Sequence, residues 1–259
     1  MSTYVVSDLH GNYTVFERGL ETIGFSSSDT LICLGDCIDR GNDGIRILQE
    51  IKMAPNMDTL LGNHEFMMLN SIDINGGTDC IGTDSLLWLF SNGGNITYLK
   101  YAYLPEEERK KLLFWLIRRK IITEMDIKDK KYILTHSCYV PTDIKTGKST
   151  LDKPYNELSH ETSMQALWFS PYRKDTYCDP EEIYGKYPAY TFITGHVPIQ
   201  SIKILAGKKD YTELPEPYTN EKASNMIDID GGLSYNGKFG IKGAAIFLRL
   251  DDMEHFVIQ

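Results

Sequence analysis

The chain has 259 residues, 42% of them apolar, enough for one continuous core; a single domain over residues 1–259 is the expected organisation. Its formal net charge of −9 and pI near 5.2 argue against a nucleic-acid partner, which would call for clustered Lys and Arg, and no apolar run approaches the roughly 18 residues of a membrane span. The five cysteines form no CxxC and read as reduced thiols, and the first strand starts too near Met1 to leave room for a signal peptide, so a soluble, cytoplasmic enzyme or binding protein is expected.

In chain order, Thr3 to Ser7 is a short apolar run that ends at Asp8, followed by a Gly11-Asn12 turn and a helical pattern at Val15, Phe16, Leu20 and Ile23. The unit recurs. Thr30 to Leu34 ends at Gly35-Asp36, and Ile45, Ile47, Leu48 and Ile51 follow as a helix capped by Asn42-Asp43; Met57 to Leu61 then ends at Gly62-Asn63 before a Met-rich helix. This βαβαβ rhythm predicts parallel strands with helices on their faces. Asp84 to Lys120 reads as helical, with acidic residues after Pro105 in a first turn. Beyond it, strands are predicted at Ile121–Met125, Lys131–Thr135, Tyr190–Thr194, Ile202–Leu205, Met226–Ile229, Ala244–Leu250 and Phe256–Ile258, forming a second sheet packed on the first. Thr142 to Pro188 and Lys208 to Asn225 read as long loops, uncommon unless they border a site.

The chemistry-bearing residues fall at strand ends, and in parallel sheets ligands collect outside the carboxyl ends of strands, so these residues should converge. Asp8 and His10 alternate with Leu9 and point to one side of an extended chain. Asp36 can bridge two cations, Asn63 offers a carbonyl oxygen, and His136 and His196 each follow a β run. One ion would take Asp8, His10 and Asp36; the second would take Asp36, Asn63, His136 and His196. Such a set implies a two-metal phosphoester hydrolase with two divalent metal ions. Nitrogen and oxygen donors without Cys suit manganese, with iron or zinc as alternatives. With a hydroxide present the charge sums to about +1, enough to draw a phosphate to an acidic protein. His160 and His255 lack motif context and read as surface residues, Glu65 reads as a helix N-terminal charge, and Trp88, Leu89 and Phe90 read as core.

The ordered set Asp-x-His, Gly-Asp-x-x-Asp-Arg-Gly at Gly35–Gly41, Gly-Asn-His-Glu at Gly62–Glu65, His136, His196 and a late Asp230-Gly231-Gly232 resembles the phosphoprotein phosphatase family of calcineurin-like metallophosphoesterases, especially its short bacterial and phage members. The resemblance implies an α/β (α+β) four-layer fold, two mixed sheets face to face and flanked by helices. It implies metal ligands as above, His64 as the general acid, Asp39 as its orienting partner, and Arg40 as a phosphate clamp. Attack would be in-line by a metal-bridging hydroxide, without a phosphoenzyme. Short members carry a second phosphate-binding Arg just after a Trp; here Trp168 is followed by Phe169-Ser170-Pro171-Tyr172, so the role passes to Arg173, later than usual. The Ser-Ala-Pro-Asn-Tyr segment of eukaryotic members is absent. The substrate implied is a phosphoprotein carrying phosphoserine or phosphothreonine, or a phosphorylated small molecule. A diadenosine tetraphosphate hydrolase is the alternative, although that group commonly has Ala at the place of Asp39 and Gly-Asn-His-Asp. An inactive scaffold that binds phosphoproteins is the non-enzyme alternative.

Overall fold

The computed structural model describes residues 1–80, 84–238 and 240–259. The predicted βαβαβ rhythm is present: β1 (Thr3–Val6), α1 (Tyr13–Thr22), β2 (Thr30–Cys33), α2 (Gly44–Met53), β3 (Met57–Thr59) and α3 (Asn63–Ser71), with β1, β2 and β3 parallel. A helical middle follows, α4 (Asp84–Leu86), a π-turn over Leu87–Ser91, α5 (Gly94–Ala102) and α6 (Glu106–Leu116). The first turn of α6 carries Glu106, Glu107 and Glu108, the charge that a helix N-terminus favours.

The second sheet is built from β4 (Ile122–Ile127), β5 (Lys130–Thr135), β6 (Tyr190–Thr194), β7 (Tyr218–Thr219) and β8 (Met226–Asp228), in the order β4-β5-β6-β8-β7. Within it β5, β6 and β8 are mutually parallel. Alternation along the strands fixes the layers. Val5, Ile32 and Leu34 of the first sheet pack against Tyr132, Leu134 and Ile193 of the second, while the intervening Tyr4, Val6, Leu31, Cys33, Ile133 and Phe192 face the helices. The fold is therefore two mixed five-stranded sheets face to face with helices outside.

The structure corrects four expectations. The final strands, β9 (Ala245–Arg249) and β10 (His255–Ile258), join the first sheet, with β9 antiparallel to β1, rather than extending the second. Their register is a long-range choice that no local pattern encodes. Ile202–Leu205 lies in a helix, α9 (Ile199–Leu205), where Pro198 sits at the N-cap position; four apolar residues suit strand or helix equally. Thr142 to Pro188 contains α7 (His160–Trp168), capped by Ser159 accepting from Thr162 N, and α8 (Pro180–Ile183), capped by Asp179. Phe90 is 77% exposed instead of buried.

Gly35 shows how tightly the strand ends are brought together. It sits at φ 105, and a Cβ there would lie 2.5 Å from the Gly62 backbone and 3.1 Å from His136 Nδ1. Gly35→Ala should therefore cost at least about 2 kcal/mol in chemical denaturation, through the positive φ and the overlap together.

Candidate metal centre

Every proposed ligand stands just past the carboxyl end of a strand: Asp8 and His10 after β1, Asp36 after β2, Asn63 after β3, His136 after β5 and His196 after β6. The parallel runs of the two sheets thus bring all six together, although they span positions 8 to 196. The backbone is strained where they meet. Among the described residues, nine non-glycine residues have positive φ, and six of them are Asp8, His10, Asp36, Asp39, Arg40 and His196. Left-handed backbone in residues with a Cβ persists only where the surroundings enforce it, and such strain clusters at functional sites. Here a backbone ladder enforces it: Asp8 N, His10 N and Gly11 N donate to Gly35 O, Asp36 O and Cys37 O at 3.2, 2.9 and 2.8 Å.

Asp36 occupies the middle. Its Oδ1 lies 3.5 Å from His136 Nε2, and its Oδ2 lies 3.8 Å from both His10 Nε2 and His64 Nε2, so its two oxygens face different imidazoles. Asn63 Oδ1 sits between His136 Nε2 at 2.9 Å and His196 Nδ1 at 3.1 Å. Asp8 Oδ2 is fixed by Ser7 Oγ and by the N–H of His196, whereas Oδ1 is buried without a partner, 3.9 Å from His10 Nε2.

These residues fit cations on chemical grounds. His136 Nδ1 faces Leu34 O at 3.0 Å and His10 Nδ1 faces Ile38 O at 3.1 Å; a carbonyl can only accept, so Nδ1 carries the proton in each ring. Burial lowers the pKa of all four site imidazoles, leaving His136 Nε2 a lone pair aimed at the acceptor Asn63 Oδ1. Two acceptors that close repel unless a positive charge lies between them, and ligand atoms each about 2.0–2.2 Å from one ion have such separations. Burial and the neighbouring carboxylates of Asp8 and Glu65 push Asp36 well above the usual carboxylate range, a cost that a divalent ion offsets.

His64 has a different partner. Its Nδ1 donates to Asp39 Oδ2 at 2.6 Å, and the same oxygen accepts from Trp88 Nε1 at 2.8 Å. Burial pushes Asp39 up to about 7 and His64 down, each toward neutrality, while the N–H bond from Trp88 favours the charged form of Asp39. Trp88, read from sequence as core, is fully buried there and also reaches the site, since a buried indole N–H needs an acceptor. Arg40 donates to His10 Nε2 at 3.0 Å and His64 Nε2 at 3.1 Å. Arg173 lines the same cleft, of about 380 Å³, with Trp168, Tyr172 and Tyr235; its Nε is 3.7 Å from Asp175.

Glu65 holds the two central loops together. Fully buried, it accepts from Asp36 N and Gly62 N at 2.9 and 3.0 Å through Oε2, and from Cys37 N and Ile38 N at 2.8 and 3.2 Å through Oε1. One side chain thereby sets Asp36 against Asn63.

A fold of two stacked mixed sheets, with acids, imidazoles and an arginine gathered at the carboxyl ends of their strands, is that of a metal-dependent phosphoesterase. Residues 1–218 match the family model described as calcineurin-like phosphoesterase, and the chain belongs to that family of metal-binding hydrolases. It is 31% identical over 146 residues to serine/threonine-protein phosphatase 2 of Salmonella typhimurium, covering 56% of this chain and 62% of that protein. It is 29% identical over 153 residues to a symmetrical bis(5'-nucleosyl)-tetraphosphatase of Wigglesworthia glossinidia brevipalpis, covering 54% and 46%. The matched segment thus spans about half to three-fifths of those two relatives. Serine/threonine-protein phosphatase 2 of Escherichia coli is 26% identical over 207 residues, covering 79% of this chain and 84% of that protein. Among solved structures, a protein serine/threonine phosphatase of Saccharomyces cerevisiae superposes with a TM-score of 0.59 at 14% identity, covering 99% and 78% of the two chains, a likeness of fold. No helix among the described residues is long and apolar enough to cross a membrane.

Glu65→Ala would leave four buried N–H groups without their acceptor. The expected cost is roughly 3 kcal/mol or more in chemical denaturation, accompanied by weaker metal retention after dialysis.

Proposed function

We propose that this chain is a dinuclear phosphomonoesterase acting on phosphoserine and phosphothreonine in proteins. The observation that carries this reading is the buried relay from Trp88 through Asp39 to His64 beside Asp36. Two divalent cations, manganese by preference, held by Asp8, His10, Asp36, Asn63, His136 and His196, would act as Lewis acids and lower the pKa of the attacking water. Arg40 binds two phosphate oxygens with its planar fork, and Arg173 meets the phosphate from the facing wall. His64, protonated on both nitrogens, gives its Nε2 proton to the leaving oxygen. Asp39 keeps Nδ1–H in place and stabilises the imidazolium, and Trp88 fixes Asp39.

The relay bears on the substrate. A serine or threonine alkoxide is a poor leaving group that gains much from protonation, whereas a nucleotide phosphate departs readily as an anion. A complete His64–Asp39 pair is therefore best used on phosphate monoesters of alcohols. The bis(5'-nucleosyl)-tetraphosphatase relatives support cleavage of a dinucleoside tetraphosphate as a second reading.

Under one metal condition, phosphate release from a phosphoserine peptide should exceed cleavage of diadenosine tetraphosphate; the reverse order would transfer the assignment to the second reading. His64→Asn should retain metal yet lose about 100-fold or more in kcat with alkyl phosphates and less with p-nitrophenyl phosphate. Equal losses with both would contradict proton donation. Chelation should abolish turnover and manganese restore it, while Asp36→Asn stays inactive with manganese; a wild type no faster than Asp36→Asn would point to a phosphoprotein-binding scaffold.

A further inference from the structure

The late turn Asp230-Gly231-Gly232 takes no part in the chemistry above. It leaves β8 in the second sheet and leads toward β9 in the first, crossing the seam where the centre lies. It is built firmly. Gly232 N donates to Asp230 Oδ1 at 2.8 Å, Gln200 Nε2 and Ala244 N donate to Gly231 O at 2.9 and 3.0 Å, and Gly232 takes φ 66. A single 3₁₀ turn over Leu233–Tyr235 follows, with Leu233 buried and Lys238 Nζ donating to Ser234 O at 2.9 Å. The half-buried Ser234 hydroxyl then lies 3.0 Å from Arg40 Nη1.

Among the described residues Arg40 has two other side-chain acceptors, His10 Nε2 and His64 Nε2. Both belong to the centre, where the proposed chemistry gives His10 to a cation and His64 to the leaving oxygen. Ser234 Oγ stands outside it, on the late turn, and has no other role in that chemistry. A guanidinium on a flexible stem, whose own backbone sits at φ 66, clamps phosphate well only if its plane is fixed in advance.

We propose that Ser234 is a positioning residue for Arg40: its hydroxyl accepts from Nη1 and sets the plane of the fork, and the late turn exists to deliver that hydroxyl across the seam between the sheets. The inference rests on the phosphoesterase reading of the site, with a phosphate monoester as the anion held.

The test uses the metal-loaded full chain with p-nitrophenyl phosphate turnover and calorimetric binding of inorganic phosphate. Ser234→Ala should raise KM and the phosphate Kd by about three- to tenfold, with a smaller change in kcat. Ser234→Thr, which keeps the hydroxyl, should restore both. In an Arg40→Ala background, Ser234→Ala should change kcat/KM less than twofold, because the group it orients is gone. Wild-type phosphate affinity in Ser234→Ala would overturn the proposal. A loss just as large without Arg40, or one that Thr does not repair, would also overturn it. A wild type that neither turns over substrate nor binds phosphate would remove the reading of the whole site, a result distinguishable from an active wild type indifferent to Ser234.

Discussion

The carboxylate of Glu65 ties two strand-end loops into one object. Its bonds to the N–H groups of Asp36, Cys37, Ile38 and Gly62, alongside the bond from His64 N to Asp36 Oδ1, hold the β2 loop to the start of α3 and help Asp36 and Asn63 face the same space. A buried carboxylate is costly unless donors surround it, and here the donors are backbone groups that would otherwise be unsatisfied themselves. Each side solves the other's problem. The strained backbone of Asp36, Asp39 and Arg40 is tolerable because this frame over-determines it.

From that frame the division of labour follows. The first sheet supplies the acids, the arginine, Asn63, His10 and His64 at the ends of β1, β2 and β3, and the second supplies His136 and His196 at the ends of β5 and β6. Hydrogen bonds behind the rings separate them. His10 and His136 turn Nδ1–H to carbonyls, which suits the metal-ligand role proposed for them, while His64 turns Nδ1–H to a carboxylate, which suits its proposed role as an acid. Three rings of one residue type thus meet two kinds of acceptor.

Much of this was legible in the chain. The recurrence of apolar run, Gly or Asp, and helix predicted β1, β2 and β3 and their parallel order, because short apolar runs followed by helical spacing mark strands that helices connect. The same recurrence placed Asp8, Asp36 and Asn63 on one edge. Less visible was Trp88, whose apolar neighbours disguised a hydrogen-bond donor to Asp39, and α9, whose four apolar residues carry no period long enough to separate helix from strand. Ser159 and Asp179 cap α7 and α8 inside a stretch that reads as a loop in the sequence, because Pro, Tyr and charged residues there leave little periodicity.

The sequence by itself determined which atoms are available for metal and phosphate chemistry, and their order along parallel strands, since residue type and local periodicity are properties of short segments. Tertiary structure alone decided that β9 and β10 return to the first sheet, that Glu65 spans two loops, and that Ser234 reaches Arg40 from 194 positions away. Those contacts depend on strand register and on the seam between two sheets, and register is set by the burial of whole faces rather than by any local run of residues.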